Sequence, residues 1–188
     1  MKTKQMRLNP GILISKTIGL LLRLMLFGVI LATPGYLFLS NFAVFEPFLF
    51  PLHYLQGNVR HVSKHIIVGP YPDYGLLANL HKRGVKIIIS LLDPRLIYEN
   101  SLIHREDLLA QQLGIKEYNF PMNSGQPPSS PLNAAALHDI EKIIAINPRT
   151  TVYIHCYLGK HRVGDVVTML DSEPGHAALG ALASTHHS

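Results

Sequence analysis

One stretch of the sequence brings a nucleophile, two cations and a glycine together: His155-Cys156-Tyr157-Leu158-Gly159-Lys160-His161-Arg162-Val163-Gly164. It follows an apolar run at 150–154 that reads as a buried strand, and it leads into a helical pattern at 162–170. Strand, tight loop and helix in that order place Cys156 at the strand's C-terminal end, below a helix N-terminus. Open α/β sheets bind ligands at that edge. Backbone N–H groups of residues 157–162 can converge there on an anion, which the helix dipole also favours. The same field, with Lys160 and Arg162 close by, favours the thiolate form of Cys156. Arg162 adds a planar fork for two phosphate oxygens. A thiolate beneath a cradle for a trianion is what phosphomonoester cleavage through a cysteinyl-phosphate requires. Cys156 is the only cysteine in the chain, so it is either an inert core residue or a reactive one. A metal site on His155, Cys156 and His161 lacks a further ligand pair to complete it, and no metal or other cofactor is expected.

The elements that must position this loop alternate along residues 56–172. Residues 58–61 and 65–68 read as a short strand pair, 72–83 as an amphipathic helix closed by Gly84, and 85–91 (VKIIISL) as a strand buried on both faces. A second helix is expected over 105–113, stopped by Gly114, then a strand over 115–120 and a Pro-rich loop at 124–131 (SGQPPSSP). A third helix is expected over 134–146. The alternation predicts an α/β domain with a central, partly parallel sheet flanked by helices. Residues 173–188, rich in Gly, Ala, Ser and His, read as a poorly structured tail.

The N-terminal part follows a different rule. Residues 18–39 are apolar except for Arg23, which lies near one end, where its side chain can snorkel to the headgroups. A helix of that length crosses a hydrocarbon core of roughly 30 Å. The expected division is a basic segment at 1–16, a transmembrane helix at 17–40, an aromatic interfacial linker at 41–55 and the globular domain at 56–172. Net charge is +4 in residues 1–55 and +1 in the rest. The basic residues before the span orient the N-terminus to the cytoplasm by the positive-inside rule. The nearly neutral remainder argues against a nucleic-acid-binding face. Contact with membrane lipid is expected through the N-terminal helix.

With its flanking strand and helix, the His-Cys-x5-Arg pattern resembles the cysteine-dependent protein tyrosine and dual-specificity phosphatases. The Gly-Lys-His-Arg variant is most similar to the atypical dual-specificity type of plants and fungi. The resemblance covers roughly residues 57–170 and includes Asn58-Val59, Ile67, Gly69, Tyr71-Pro72, the Gly84–Leu91 run and Phe120-Pro121. It implies a phosphatase-like fold with Cys156 as nucleophile and Arg162 as phosphate clamp. His155 would orient the loop, and Tyr157, Leu158, Gly159, Lys160 and His161 would form the phosphate-binding loop. The implied substrate is a phosphorylated protein, or a phosphoinositide or inositol phosphate that Lys160 and His161 could read.

This sequence departs from the family at three points. The aspartate acid expected about 30 residues before the cysteine is replaced by Asn123 or Ser124, with Asp93 and Asp139 as the available substitutes. Val163 stands where the family has Ser or Thr, which removes a hydroxyl that assists departure of the thiolate. The helices that normally follow are reduced to one. These departures keep a second class open, a pseudophosphatase that binds phosphate with little turnover.

Overall fold

The computed structural model describes residues 10–49 and 55–172, so the expected tail at 173–188 lies outside the described residues. The chain forms two units, one ending at Ser40 and one beginning at Asn41. Among the described residues the first is a single helix, α1 (Pro10–Ser40). Its stretch Ile18–Ser40 has a mean hydropathy of 1.9 and none of it is buried, so by length and composition it can cross a membrane.

The second unit opens with a short helix, α2 (Phe42–Phe45), and a 3-10 turn (Glu46–Phe48). Then come β1 (Arg60–Ser63), β2 (Ile66–Gly69), α3 (Tyr74–Lys82), β3 (Val85–Ser90) and α4 (Ile97–Leu113). The last elements are β4 (Lys116–Asn119), α5 (Pro131–Ile146), β5 (Thr151–His155) and α6 (His161–Ser172). The strands make one sheet in the order β1-β2-β5-β3-β4. Only β1 and β2 pair antiparallel; β2, β5, β3 and β4 run parallel, as the partly parallel expectation requires.

Side chains alternate across a strand, so each strand feeds two cores. Ile66, Val68, Ile87, Ile89, Val152 and Ile154 pack on one face with Ala136, Ile140 and Ile144 of α5 and Val163, Val166 and Leu170 of α6. Ile67, Ile88 and Tyr153 point the other way, against Leu77 and Leu80 of α3 and Ala110 of α4. Central β5 is buried from Val152 to His155 because both layers cover it. Its end is therefore a fixed point from which Cys156 is presented.

Several element ends differ from the sequence reading. Asp73 caps α3, its carboxylate accepting from Leu76 N at 2.7 Å, so that helix starts two residues later than expected. Ser130 caps α5 with Pro131 at its first position, which starts it three residues earlier. The largest difference is α4, which begins at Ile97 rather than at 105 and ends on Gly114 in the left-handed conformation (φ 65°). Its N-cap is Leu96, with no side-chain cap, so nothing in the local sequence announces the first two turns.

α4 also buries charge. Glu106 is 0% exposed, and the carboxyl of Glu117 on β4 lies in the same region. Burial first, and then the negative charges of Glu106 and Asp107, raise the Glu117 pKa from 4.5 to about 8. A carboxyl that holds its proton more tightly when folded stabilises the protein below its unfolded pKa, and this contribution is lost as pH rises through 8. The melting temperature should accordingly fall between pH 5 and pH 9, and Glu117→Gln should flatten that slope. A slope unchanged by the substitution would mean that another group controls it.

Candidate active site

Between β5 and α6 the chain makes the tight loop expected from its composition. Tyr157 O accepts from Tyr71 N at 3.1 Å and Leu158 O from Gly57 N at 2.7 Å. Described peptide bonds are all trans, so a carbonyl tied outward turns the following N–H inward. The N–H groups of Leu158 and Gly159 are aimed into the loop in this way. Gly159 has φ 66°, and a Cβ there would fall inside the backbone of Gly69 and Pro70, so only glycine fits. The 12-residue helix α6 then starts at His161 and adds its N-terminal N–H groups and dipole.

Cys156 is buried (3% exposed) and shares the α5/α6 core with Met122 and Val163. Arg162 is buried as well, at 6% exposed. Glu99 grips it with both carboxylate oxygens, Nη2 to Oε1 at 2.6 Å and Nη1 to Oε2 at 2.9 Å. Nη1 also donates to Leu91 O at 2.8 Å and to Met122 O at 3.4 Å. None of these bonds uses Nε, so the guanidinium is braced from one side as a rigid plane. Burial alone would lower the Arg162 pKa; the hydrogen bonds and charge of Glu99, with Cys156 and Tyr98, outweigh it and hold the group above its ordinary value. Arg162 is thus a fixed cation.

His155 is 0% exposed, and its Nε2 stands 2.5 Å from Oε1 of Glu106 without the alignment of a hydrogen bond. Tyr153 stacks on its ring at 5.7 Å and Tyr71 meets it edge-on at 5.9 Å. This packing fixes the plane of the imidazole. Lys160 and His161 lie exposed on the loop's rim.

The candidate acid positions are accounted for differently. Asn123 follows Met122, whose carbonyl touches Arg162, so its segment does reach the site. Its side chain is engaged locally, Oδ1 accepting from Gly125 N at 2.8 Å. Buried Asn133 of α5 ties the segment down, Oδ1 accepting from Asn123 N and Nδ2 donating to the carbonyls of Asn123, Gln126 and Pro127. Ser124 is exposed. Asp93 is clamped by Arg95, Nη2 to Oδ2 at 2.7 Å and Nε to Oδ1 at 2.9 Å. Those bonds outweigh burial and hold its carboxyl below the usual range, so it carries no proton to give at neutral pH. Asp139 pairs with Lys142 on the exposed face of α5.

Two residues that the sequence reading does not single out, Glu99 and Glu106, emerge as the supports of this loop. They stand seven apart on α4, two turns along one face, with buried Leu102 between them. Acidic residues repeating along an otherwise apolar helical face would have been the signal, had the helix start been recognised.

No family model matches the sequence, and a search of curated proteins finds no match either. Among solved structures, the chain is similar to Tk-PTP in its active form, with 18% identity, 69% of this chain and 84% of that chain covered, and a TM-score of 0.50. It is also similar to the Siw14 catalytic core (23% identity, 60% and 63% covered, TM-score 0.47). A third is P. aeruginosa TpbA in complex with pTyr (17%, 57% and 57%, TM-score 0.44). The fold is therefore of the protein tyrosine phosphatase kind, α/β with a mixed sheet flanked by helices.

Removing the brace on Arg162 gives the test of this geometry. Glu99→Ala strands a buried cation and should destabilise the second unit by roughly 3–5 kcal/mol. Glu99→Gln keeps one neutral acceptor and should cost less, while weakening oxyanion binding. Denaturant unfolding with and without millimolar phosphate measures both. Equal stability of parent and Glu99→Ala would contradict the bracing role.

Proposed function

We propose that the chain is a membrane-anchored phosphatase that hydrolyses a phosphomonoester through a cysteinyl-phosphate on Cys156. The observation that carries this reading is the loop itself: Cys156 ends a buried strand, inward N–H groups follow it, and Arg162 is braced by Glu99 at the start of α6. In the first step Cys156 Sγ attacks phosphorus, the S–P bond forms, and the P–O bond to the leaving group breaks. Arg162 and the loop N–H groups, with Tyr157, Leu158, Gly159, Lys160 and His161 forming the cradle, balance the charge on the transferring phosphoryl oxygens. Water then attacks phosphorus, the S–P bond breaks, and phosphate leaves with the thiolate restored. His155 fixes the loop's start and takes no proton.

The leaving group limits the substrate class. Neither Asn123 nor Ser124 is a carboxylic acid, and Asp93 is held ionised by Arg95. A phenoxide needs less proton assistance than an alkoxide, so aryl phosphates of the phosphotyrosine type suit this site better than inositol phosphates or phosphoinositides. The apolar span of α1 supports anchoring, and the basic residues ahead of it support a cytoplasmic N-terminus. The reading of a phosphate-binding pseudophosphatase is favoured by one observation. Val163, at the place of the family's hydroxyl, is fully buried in the core, and nothing there assists release of the thiolate.

An activated aryl phosphate tests the nucleophile with little need for an acid. The full chain in detergent should hydrolyse it and Cys156→Ser should not, whereas phosphate binding without turnover would support the pseudophosphatase. Asn123→Asp should speed an alkyl phosphate roughly 10²-fold or more and an aryl phosphate far less, because only the alkoxide needs the proton. The gain should fade as pH rises, since the new carboxyl acts only when protonated. Equal effects on both substrates would show that position 123 does not serve the leaving group.

A further inference from the structure

In the core between α2, α4 and the loop, only Tyr157 enters the mechanism above. Phe42 and Ala43 are buried at 7% and 8% exposure, and Glu46 at 3%. They join Tyr71, Leu92 and Leu102, with Leu49, Tyr98, Ile103 and Tyr157 at the margin. Two polar contacts hold α2 on α4: Ala43 N donates to Ser101 Oγ at 3.1 Å, and Arg105 Nη1 donates to Ala43 O at 2.6 Å. The Phe42 ring meets Tyr98 edge-on at 5.7 Å and Tyr157 edge-on at 5.9 Å. Tyr157 is the residue after Cys156, and its hydroxyl is buried with no hydrogen-bond partner among the described residues. The edge-on contact with Phe42 therefore helps to set where the Tyr157 ring lies. The chain meets the loop again at Gly57, whose N–H holds the carbonyl of the next residue, Leu158. Both sides of the stretch between span and sheet thus seat on consecutive residues of the loop.

We propose that the helix directly following the apolar span is a working part of the catalytic loop, with Phe42 as a positioning residue that acts on the loop through Tyr157. The inward N–H of Leu158 belongs to the peptide that follows Tyr157, and that of Gly159 to the next one. A shift of the Tyr157 ring moves them relative to the phosphoryl group. A displacement of about 1 Å at a reacting centre costs on the order of 10²-fold in rate. A catalytic fragment that begins after this helix lacks the support. The alternative is that α2 only covers an apolar strip of α4, in which case its loss lowers stability and leaves the site intact. For its activity readout the inference rests on the phosphatase reading; its binding readout needs only the cradle.

The full chain in detergent micelles, with an activated aryl phosphate as substrate and vanadate as the bound probe, separates these cases. Phe42→Ala should lower kcat about 10- to 100-fold and weaken vanadate binding in parallel, at a temperature well below its melting point. Phe42→Leu should retain much of both, and it serves as the comparison if Phe42→Ala does not fold. Val44→Ala, on the exposed side of the same helix (Val44 is 64% exposed), should change neither. Tyr157→Ala should lose a similar factor, and adding Phe42→Ala to it should cost little more, because the two act as one unit. A lowered melting temperature with kcat and vanadate affinity unchanged overturns the proposal and leaves the phosphatase reading standing. Additive losses in the double variant overturn the route through Tyr157. A parent chain that binds vanadate without turnover refutes the enzyme reading, and the same comparison of Phe42 variants by vanadate affinity then decides the proposal. A parent that neither binds vanadate nor turns over substrate refutes both.

Discussion

The site depends on the two carboxylates of α4. Glu99 braces Arg162 at the end of the loop between β5 and α6, and Glu106 faces His155 at its beginning. One rigid helix therefore fixes both ends of the segment that carries Cys156. Seven residues along a helix come back to the same face about 10 Å further on, so the two supports are held at a set separation by the helix geometry itself. Burying a carboxylate is costly unless its charge is met, and Glu99 meets that requirement with the Arg162 guanidinium. The arrangement orients a cation that would otherwise sample many rotamers, and it does so before any ligand arrives.

Around this brace, most connections that matter are made by backbone. Carbonyls of Tyr157 and Leu158 are bound from outside the loop, and Gly159 takes a conformation and a space that no side chain allows. The sheet supplies the fixed base, because β5 is covered on both faces by separate apolar layers. Function is added at the surface of this base by few groups: one thiol, one guanidinium and a set of N–H dipoles. Where the resemblance to cysteine-dependent phosphatases leads one to expect an acid and a hydroxyl, this chain has an amide tied into its own turn and a core valine. On the proposed reading, the chain keeps groups suited to bind and attack phosphorus more fully than groups suited to release products.

The loop and its sheet were legible in the sequence because their signals are local. A continuous apolar strand, a Cys-x5-Arg spacing and glycines at the turn define strand, loop and helix within twenty residues. The partly parallel sheet followed from alternation alone. Glu99, Glu106 and Phe42 were not legible, for physical reasons. The first turns of α4 carry no capping residue, so Glu99 stood in what read as an irregular segment. The partner of Glu106 lies 49 positions along the chain at His155, beyond any periodic pattern. Phe42 belongs to an aromatic stretch whose composition suits a membrane interface as well as a protein core, and only tertiary packing selects the second.

The central claim is that Cys156 forms a covalent bond to phosphorus. Acid quenching of the full chain during turnover of an aryl phosphate, followed by mass spectrometry of the peptide that contains Cys156, reads that bond directly. With no hydroxyl at Val163 to speed the second step, the account predicts that a substantial share of Cys156 carries a phosphoryl group in the steady state. Turnover with no phosphoryl group on Cys156, or with the group on another side chain, would contradict it.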